Sequence, residues 1–325
     1  MAERFSLRGY RGLTGAELVI PLAAAALALI FPSQLNFLML VATTAIFVLS
    51  LDLVVGYAGI VTLGHAAFFG AGAYGAGLYA IHVTAEPISG LLVGAAAGAA
   101  IALASGLLIL RAHGLTLLMM TVAVAQILLE VANKSRWLTG GDDGLYGIMP
   151  APILGLFAFD FHGRTGFAYS VVILTLVFVF LRVLTASPFG RTTVGIREDR
   201  ERMAALGTRA YPHLVRTYAI SGAVAGLAGA VSAQTVQVVG LNTLSFTMSA
   251  ECLVMLVLGG TGRLWGALVG TLMFMMIHHS AAELDPFRWM FVIGFMLVAV
   301  VLFLPGGVVN ALARLAGRRA ERASR

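Results

Sequence analysis

Gly56-Tyr-Ala-Gly-Ile-Val-Thr-Leu-Gly-His-Ala-Ala-Phe-Phe-Gly-Ala-Gly-Ala-Tyr74 is the stretch on which the fold turns. It sets small residues, aromatics and one histidine into an otherwise apolar run. The glycines at 56, 59 and 64 each weaken a helix by about 1 kcal/mol relative to alanine. Irregular backbone at membrane depth is tolerated only where it is buried in protein or lines a water-filled cavity. His65 costs free energy if it faces lipid, so it is expected to face a bundle interior. Two readings of the stretch stand at this point. One is close helix packing, with His65 donating to a backbone carbonyl. The other is a wall of a solute path, carried by Gly56, Tyr57, Gly59, Gly64, His65 and Phe68.

The membrane setting follows from composition. Of 325 residues, 59% are hydrophobic and 11% charged, and the mean hydropathy is +0.94. Soluble domains carry about 25% charged residues, so most of this chain's solvent is lipid. The net charge of +6 does not imply a nucleic-acid partner. The basic residues fall in three clusters flanking apolar runs: Arg4, Arg8 and Arg11; Arg191, Arg197, Arg200, Arg202, Arg209 and Arg216; Arg314, Arg318, Arg319, Arg322 and Arg325. That is the pattern of cytoplasmic segments between spans.

With about 20 apolar residues per crossing, ten spans are expected: 13–31, 35–55, 60–82, 88–110, 114–132, 167–186, 214–239, 245–260, 264–282 and 289–305. The first is read as an uncleaved span, because no small-x-small cleavage site follows it. All three basic clusters share one side only if an even number of spans separates them, and this count meets that condition. Both termini are then cytoplasmic. The chain is read as one all-α polytopic membrane domain over 1–325, with an outside loop at 133–166 and an inside loop at 187–213. The eighth span is short enough to be re-entrant or broken.

The 38 glycines exceed the roughly 7% average. Gly94-xxx-Gly98 and Gly222-xxx-Gly226 are spaced for close helix approach. A weak internal echo links Leu53–Gly59 with Leu256–Gly262, both ending an apolar run and opening a glycine-rich one.

Enzymatic motifs are missing from the sequence. Lys134 is the single lysine, and Asn133 precedes it, so no Gly-Lys-Ser/Thr phosphate loop exists. Any ATP-driven step needs another chain. Cys252 lies alone in an apolar run, which suits a small buried residue. His278-His279 lacks metal-ligand spacing. No catalytic, cofactor or metal residues are assigned.

Two polar segments remain. Thr139, Gly140, Gly141, Asp142, Asp143 and Gly144 lie in the turn-rich outside loop, where the acidic and basic groups suit either solvation or docking of another protein. The inside segment is expected to be helical from about Thr192 to Leu206, with Gly207 ending it. It is either a solvated face or a short helix for a partner's groove. Among charges within or near spans, Asp52 and Arg111 are expected to pair, Glu130 to be hydrated and Glu251 to lie in an apolar run.

These segments, in this order, resemble the permease subunits of branched-chain amino acid ABC importers, particularly the LivM-like kind. Residues 56–74 match with Thr62 where the family pattern has Ser. Residues 138–148, 187–207, 257–266 (Val-Leu-Gly-Gly-Thr-Gly-Arg-Leu-Trp-Gly) and 302–307 (Leu-Phe-Leu-Pro-Gly-Gly) match as well. Met203-Ala204-Ala205 stands where the general importer motif has Glu-Ala-Ala. The resemblance implies an ABC importer permease fold with a cytosolic coupling helix, in a bacterial inner membrane. Its implied partners are a second, LivH-like permease, two cytosolic ATPase subunits and a periplasmic solute-binding protein, with no cofactor. Arg191, Arg197, Glu198, Asp199, Ala204, Ala205 and Gly207 would couple to the ATPase, and residues 139–144 would dock the binding protein. Branched-chain or other hydrophobic amino acids are the implied solutes; urea or another small polar solute is the alternative. An ion-coupled carrier is the rival class and would need an intramembrane acid, for which Glu251 is the candidate.

Overall fold

The computed structural model describes residues 19–152, 160, 163–284, 294 and 307. The expected span at 289–305, the motif at 302–307 apart from Gly307, and the two terminal basic clusters lie outside the described residues. The first span is described only from Val19.

Among the described residues there are twelve α-helices and no strand beyond one isolated bridge. They are α1 (Val19–Ile30), α2 (Leu35–Asp52), α3 (Ala66–His82), α4 (Pro87–Ile109), α5 (Gly114–Lys134), α6 (Arg136–Thr139), α7 (Arg164–Ala186), α8 (Pro188–Glu198), α9 (Arg200–Ala205), α10 (Ala210–Val236), α11 (Phe246–Gly259) and α12 (Leu264–Leu284). Six stretches are long and apolar enough to cross a membrane: α2 with its π-turn to Tyr57, α4, α5, α7, α10 and the first 18 residues of α12. The count of ten spans therefore rests on the sequence. The chain is nonetheless a polytopic helical membrane protein.

α11 has 14 residues, about 21 Å at 1.5 Å per residue, short of a 30 Å hydrocarbon core. This agrees with the expected short eighth span. The expected span at 60–82 begins six residues late, at Ala66. Gly59 has φ +71°, a left-handed conformation that glycine adopts without steric cost, and the helix cannot run through it.

Two helices form the centre. In the apolar windows of α2 and α10, 83% and 72% of residues are buried, against 17% in α5. Small residues allow the tightest contact. A Cβ built on Gly98 would stand 2.7 Å from Gly226 Cα, and one on Gly94 would stand 3.1 Å from the Gly226 carbonyl oxygen. The two glycine pairs of α4 and α10 thus lie against each other, as their spacing suggested.

One end of the bundle gathers the end of α2, the α4–α5 turn, α8–α9 and the α11–α12 turn. Arg200 Nη1 meets His113 Nε2 at 2.5 Å there, and Arg111 lies over the Tyr211 ring at 5.9 Å. This basic end contrasts with the opposite end. There, Ala151 N donates to Ala85 O at 2.8 Å, and Leu145 bridges Val239. Gln234 joins α7 to α4 by accepting from Tyr169 Oη at 2.5 Å and donating to Pro87 O at 2.9 Å.

Candidate functional site

The sequence stretch that opened the analysis folds as a break. α2 runs into a π-turn over Leu53–Tyr57, then residues 58–65 cross without helix before α3 starts. A break buried in a bundle must find partners for its backbone. Ala58 N donates to Leu53 O (3.2 Å) and Ile60 N to Val54 O (2.9 Å). Leu63 N donates to Thr121 Oγ1 (3.3 Å) and Ala66 N to Ser249 Oγ (2.9 Å). Side chains on α5 and α11 therefore supply acceptors that a continuous helix would have supplied itself.

His65 is fully buried at the start of α3. Its Nε2 lies 2.9 Å from Ser50 Oγ and 3.5 Å from Ser221 Oγ. Ser221 also donates to Ser50 O at 2.6 Å. The ring stacks on Phe47 at 5.5 Å and meets Phe68 edge-on at 5.3 Å. The expected donation to a backbone carbonyl is corrected: the partners are serine hydroxyls on α2 and α10. Gly56, Gly64 and Phe68 are also buried, whereas Tyr57 is half-buried and Gly59 exposed. A Cβ on Gly64 would stand 3.4 Å from Ala125 Cβ and closer still to the Thr121 carbonyl, so only glycine lets α5 approach here.

The expected pair of Asp52 and Arg111 does not form. Arg111 lies over Tyr211, while Asp52 Oδ1 accepts from Gly262 N at 2.7 Å in the α11–α12 turn. Arg197 Nη1, from α8, donates to Gly56 O. The two echo segments, ending at Gly59 and Gly262, thus meet at the basic end. The sequence reading noticed the echo but not that its halves touch, because 210 residues separate Asp52 from Gly262.

α8 and α9 correct the expectation of one helix over 192–206. Asp199 sits between them in extended conformation, φ −154° and ψ 102°, and its carboxylate caps α9 by accepting from Arg202 N at 2.9 Å. The expected stop at Gly207 does occur. Gly207 has φ +86°, its N–H donates to Ala204 O, and Thr208 N donates to Met203 O, a Schellman closure. Arg191, Arg197, Glu198, Asp199, Ala204, Ala205 and Gly207 are all exposed.

At the opposite end, Gly140, Gly141 and Gly144 have φ of +77°, +63° and +82°. They form a knuckle that leaves Asp142 and Asp143 exposed. Thr139 is buried and donates to Ala132 O at 2.5 Å, pinning the knuckle to α5. The sequence reading gave no separate role to Trp137, Tyr146 and Met149 beside it, which are 87%, 61% and 78% exposed. Exposed aromatics flanking paired acids were the available signal. Among the described residues no group of three or more His, Cys, Asp or Glu could hold a metal.

Fold and site together define a multi-pass membrane protein: a helical bundle with a buried break, braced at one end by a short, charged helix pair. Residues 33–301 match the family described as "Branched-chain amino acid transport system / permease component". The chain belongs to that family. It is 27% identical over 292 residues to the Escherichia coli high-affinity branched-chain amino acid transport system permease protein LivM, covering 80% of this chain and 66% of the relative. The chain thus spans just under two thirds of that relative's length. A probable branched-chain amino acid transport permease protein LivM of Methanocaldococcus jannaschii is 28% identical over 50% of this chain and 46% of its own. An autoinducer 2 import system permease protein LsrC of Photorhabdus laumondii is 25% identical over 56% of this chain and 54% of its own. No solved structure matches.

Proposed function

We propose that the chain is the membrane-spanning permease of an ATP-driven importer for branched-chain or other hydrophobic amino acids, without catalysis of its own. The carrying observation is the family match over residues 33–301, in a bundle whose charged helix pair α8–α9 joins two apolar helices. In this reading ten spans form one domain over 1–325 in a bacterial inner membrane. The basic end faces the cytosol, in keeping with its arginines.

The roles follow from position. α8–α9, with Arg191, Arg197, Glu198, Asp199, Ala204, Ala205 and Gly207, docks on two cytosolic ATPase subunits. The knuckle 139–144, with Asp142 and Asp143 at its tip, receives a periplasmic solute-binding protein. A second, LivH-like permease completes the pore. The break forms a wall of the path: Gly56, Tyr57, Gly59 and Gly64 shape it, and His65 and Phe68 support it from behind. A second reading is a permease for urea or another small polar solute of the same family; similarity to the Photorhabdus laumondii protein, named for autoinducer 2 import, supports a solute other than an amino acid.

The test is purification of a tagged copy in mild detergent, followed by uptake in proteoliposomes. Co-purification of ATPases and a second permease, with ATP-dependent leucine uptake, is the expected result. Uptake by the lone chain driven by a proton gradient overturns it in favour of an ion-coupled carrier. Competition by small polar solutes but not by leucine selects the second reading.

A further inference from the structure

Three elements distant in sequence meet at the basic end. Arg197 of α8 donates to the Gly56 carbonyl in the π-turn of α2. One turn earlier, Asp52 Oδ1 holds Gly262 N at 2.7 Å in the α11–α12 turn. A Cβ on Gly262 would stand 3.6 Å from Arg197 Nη1 and 3.3 Å from Gly56 O. The arginine, the π-turn and the α11–α12 turn therefore lie side by side, with Arg197 bonded to the first turn and next to the second.

The same contact contains a second acceptor. Asp52 is fully buried, and its Oδ2 has no hydrogen-bond partner among the described residues. A buried carboxylate oxygen without a donor is costly, and the Arg197 guanidinium is bonded to the Gly56 carbonyl, one helical turn on from Asp52. A guanidinium carries five donors in a rigid fork and binds carboxylates in two-point geometry. There is also space for movement. A cavity of about 310 Å³ separates Gly59, Ile60 and Val61 of the break from Leu117 and Leu118 of α5, beside Arg197. Packed interiors are bistable rather than continuously deformable, so an arginine bonded to one acceptor, with an unsatisfied acceptor one helical turn away and a void beside it, suits a two-position element.

We propose that Arg197 is the positioning residue that carries movement of α8 into the break, exchanging the Gly56 carbonyl for the Asp52 carboxylate as the transporter cycles. This rests on the permease reading above. In that cycle the Asp52–Gly262 bond passes the displacement to α11 and α12, so the break and the α11–α12 turn move together.

The test uses the complete importer, with ATPases, second permease and binding protein, reconstituted in proteoliposomes. Labelled leucine uptake and ATP hydrolysis are measured together for wild type, R197Q, R197K and D52N. R197Q is expected to lower the ratio of leucine taken up to ATP hydrolysed at least tenfold, with co-purified ATPase quantified on the same preparation. R197K, with a point charge in place of the fork, recovers part of that ratio. D52N keeps the Gly262 bond but removes the charge, and in the R197Q/D52N double variant, measured alongside, it adds little to the loss in R197Q. Full uptake per ATP in R197Q overturns the proposal. So does equal loss of assembly in R197Q and R197K, which makes Arg197 a structural anchor. Absence of ATP-dependent uptake in the wild-type complex overturns the permease reading itself, and the proposal with it.

Discussion

Asp52 Oδ1 accepts the Gly262 amide at 2.7 Å, tying the end of the second helix to the α11–α12 turn across 210 positions of chain. The bond is partly buried, and its loss would leave an amide without an acceptor. Removing one partner of such a pair costs about 1–3 kcal/mol. Asp52→Ala is therefore expected to lower the thermal unfolding temperature in detergent by several degrees. Asp52→Asn retains an acceptor and is expected to stay near wild type. Equal unfolding temperatures for the Ala and wild-type proteins would refute the stabilising role.

The α4–α10 contact allows no side chain. A Cβ on Gly98 would stand 2.7 Å from Gly226 Cα, so Gly98→Leu forces the backbones apart. Overpacking costs typically 1–3 kcal/mol and sometimes more, and Gly98→Leu is expected to reduce the yield of monodisperse protein severalfold. At Gly75 the nearest atom to a Cβ is Ala97 Cβ at 3.1 Å. Gly75→Ala is expected to have a much smaller effect in the same size-exclusion assay.

Gly207 separates conformation from space. A Cβ there meets nothing within 4 Å, yet φ is +86°. A β-branched residue in this region costs roughly 1–3 kcal/mol, borne by the local turn rather than by the bundle. Gly207→Val is expected to insert and purify normally while ATP-driven uptake falls at least tenfold. Gly207→Asn, tolerated in left-handed caps, is expected to retain most uptake. Full uptake by the valine variant would remove Gly207 from coupling.

His65 is enclosed by Phe47, Phe68, Ser50 and Ser221. If it supports the path from behind, His65→Leu leaves the KM for leucine within about twofold and lowers the unfolding temperature. A KM change of tenfold at unchanged stability would assign it direct contact with solute.

The Arg136–Asp142 pair spans 3.8 Å between side chains 75% and 72% exposed. Such pairs contribute little, about 0–1 kcal/mol. Arg136→Ala is expected to leave stability unchanged. Asp142→Lys with Asp143→Lys is expected to weaken binding-protein affinity at least tenfold at low salt, with the difference shrinking at high salt.

The sequence by itself determined the environment, the main helices and the places where regular structure fails. Low charge with long apolar runs leaves a chain no solvent but lipid, and paired glycines at four-residue spacing announce close helix contact before any partner is known. Left-handed glycines also act locally, so Gly207 could be read as a helix stop and Gly140, Gly141 and Gly144 as part of a turn. Only the tertiary structure decided the partners. Asp52 took the Gly262 amide rather than Arg111, His65 took serine hydroxyls rather than a carbonyl, and Arg197 reached the π-turn 141 residues before it. A buried polar group takes whichever donor or acceptor packing brings within about 3 Å. That distance is set by how helices far apart in sequence assemble, and no local pattern along the chain encodes it.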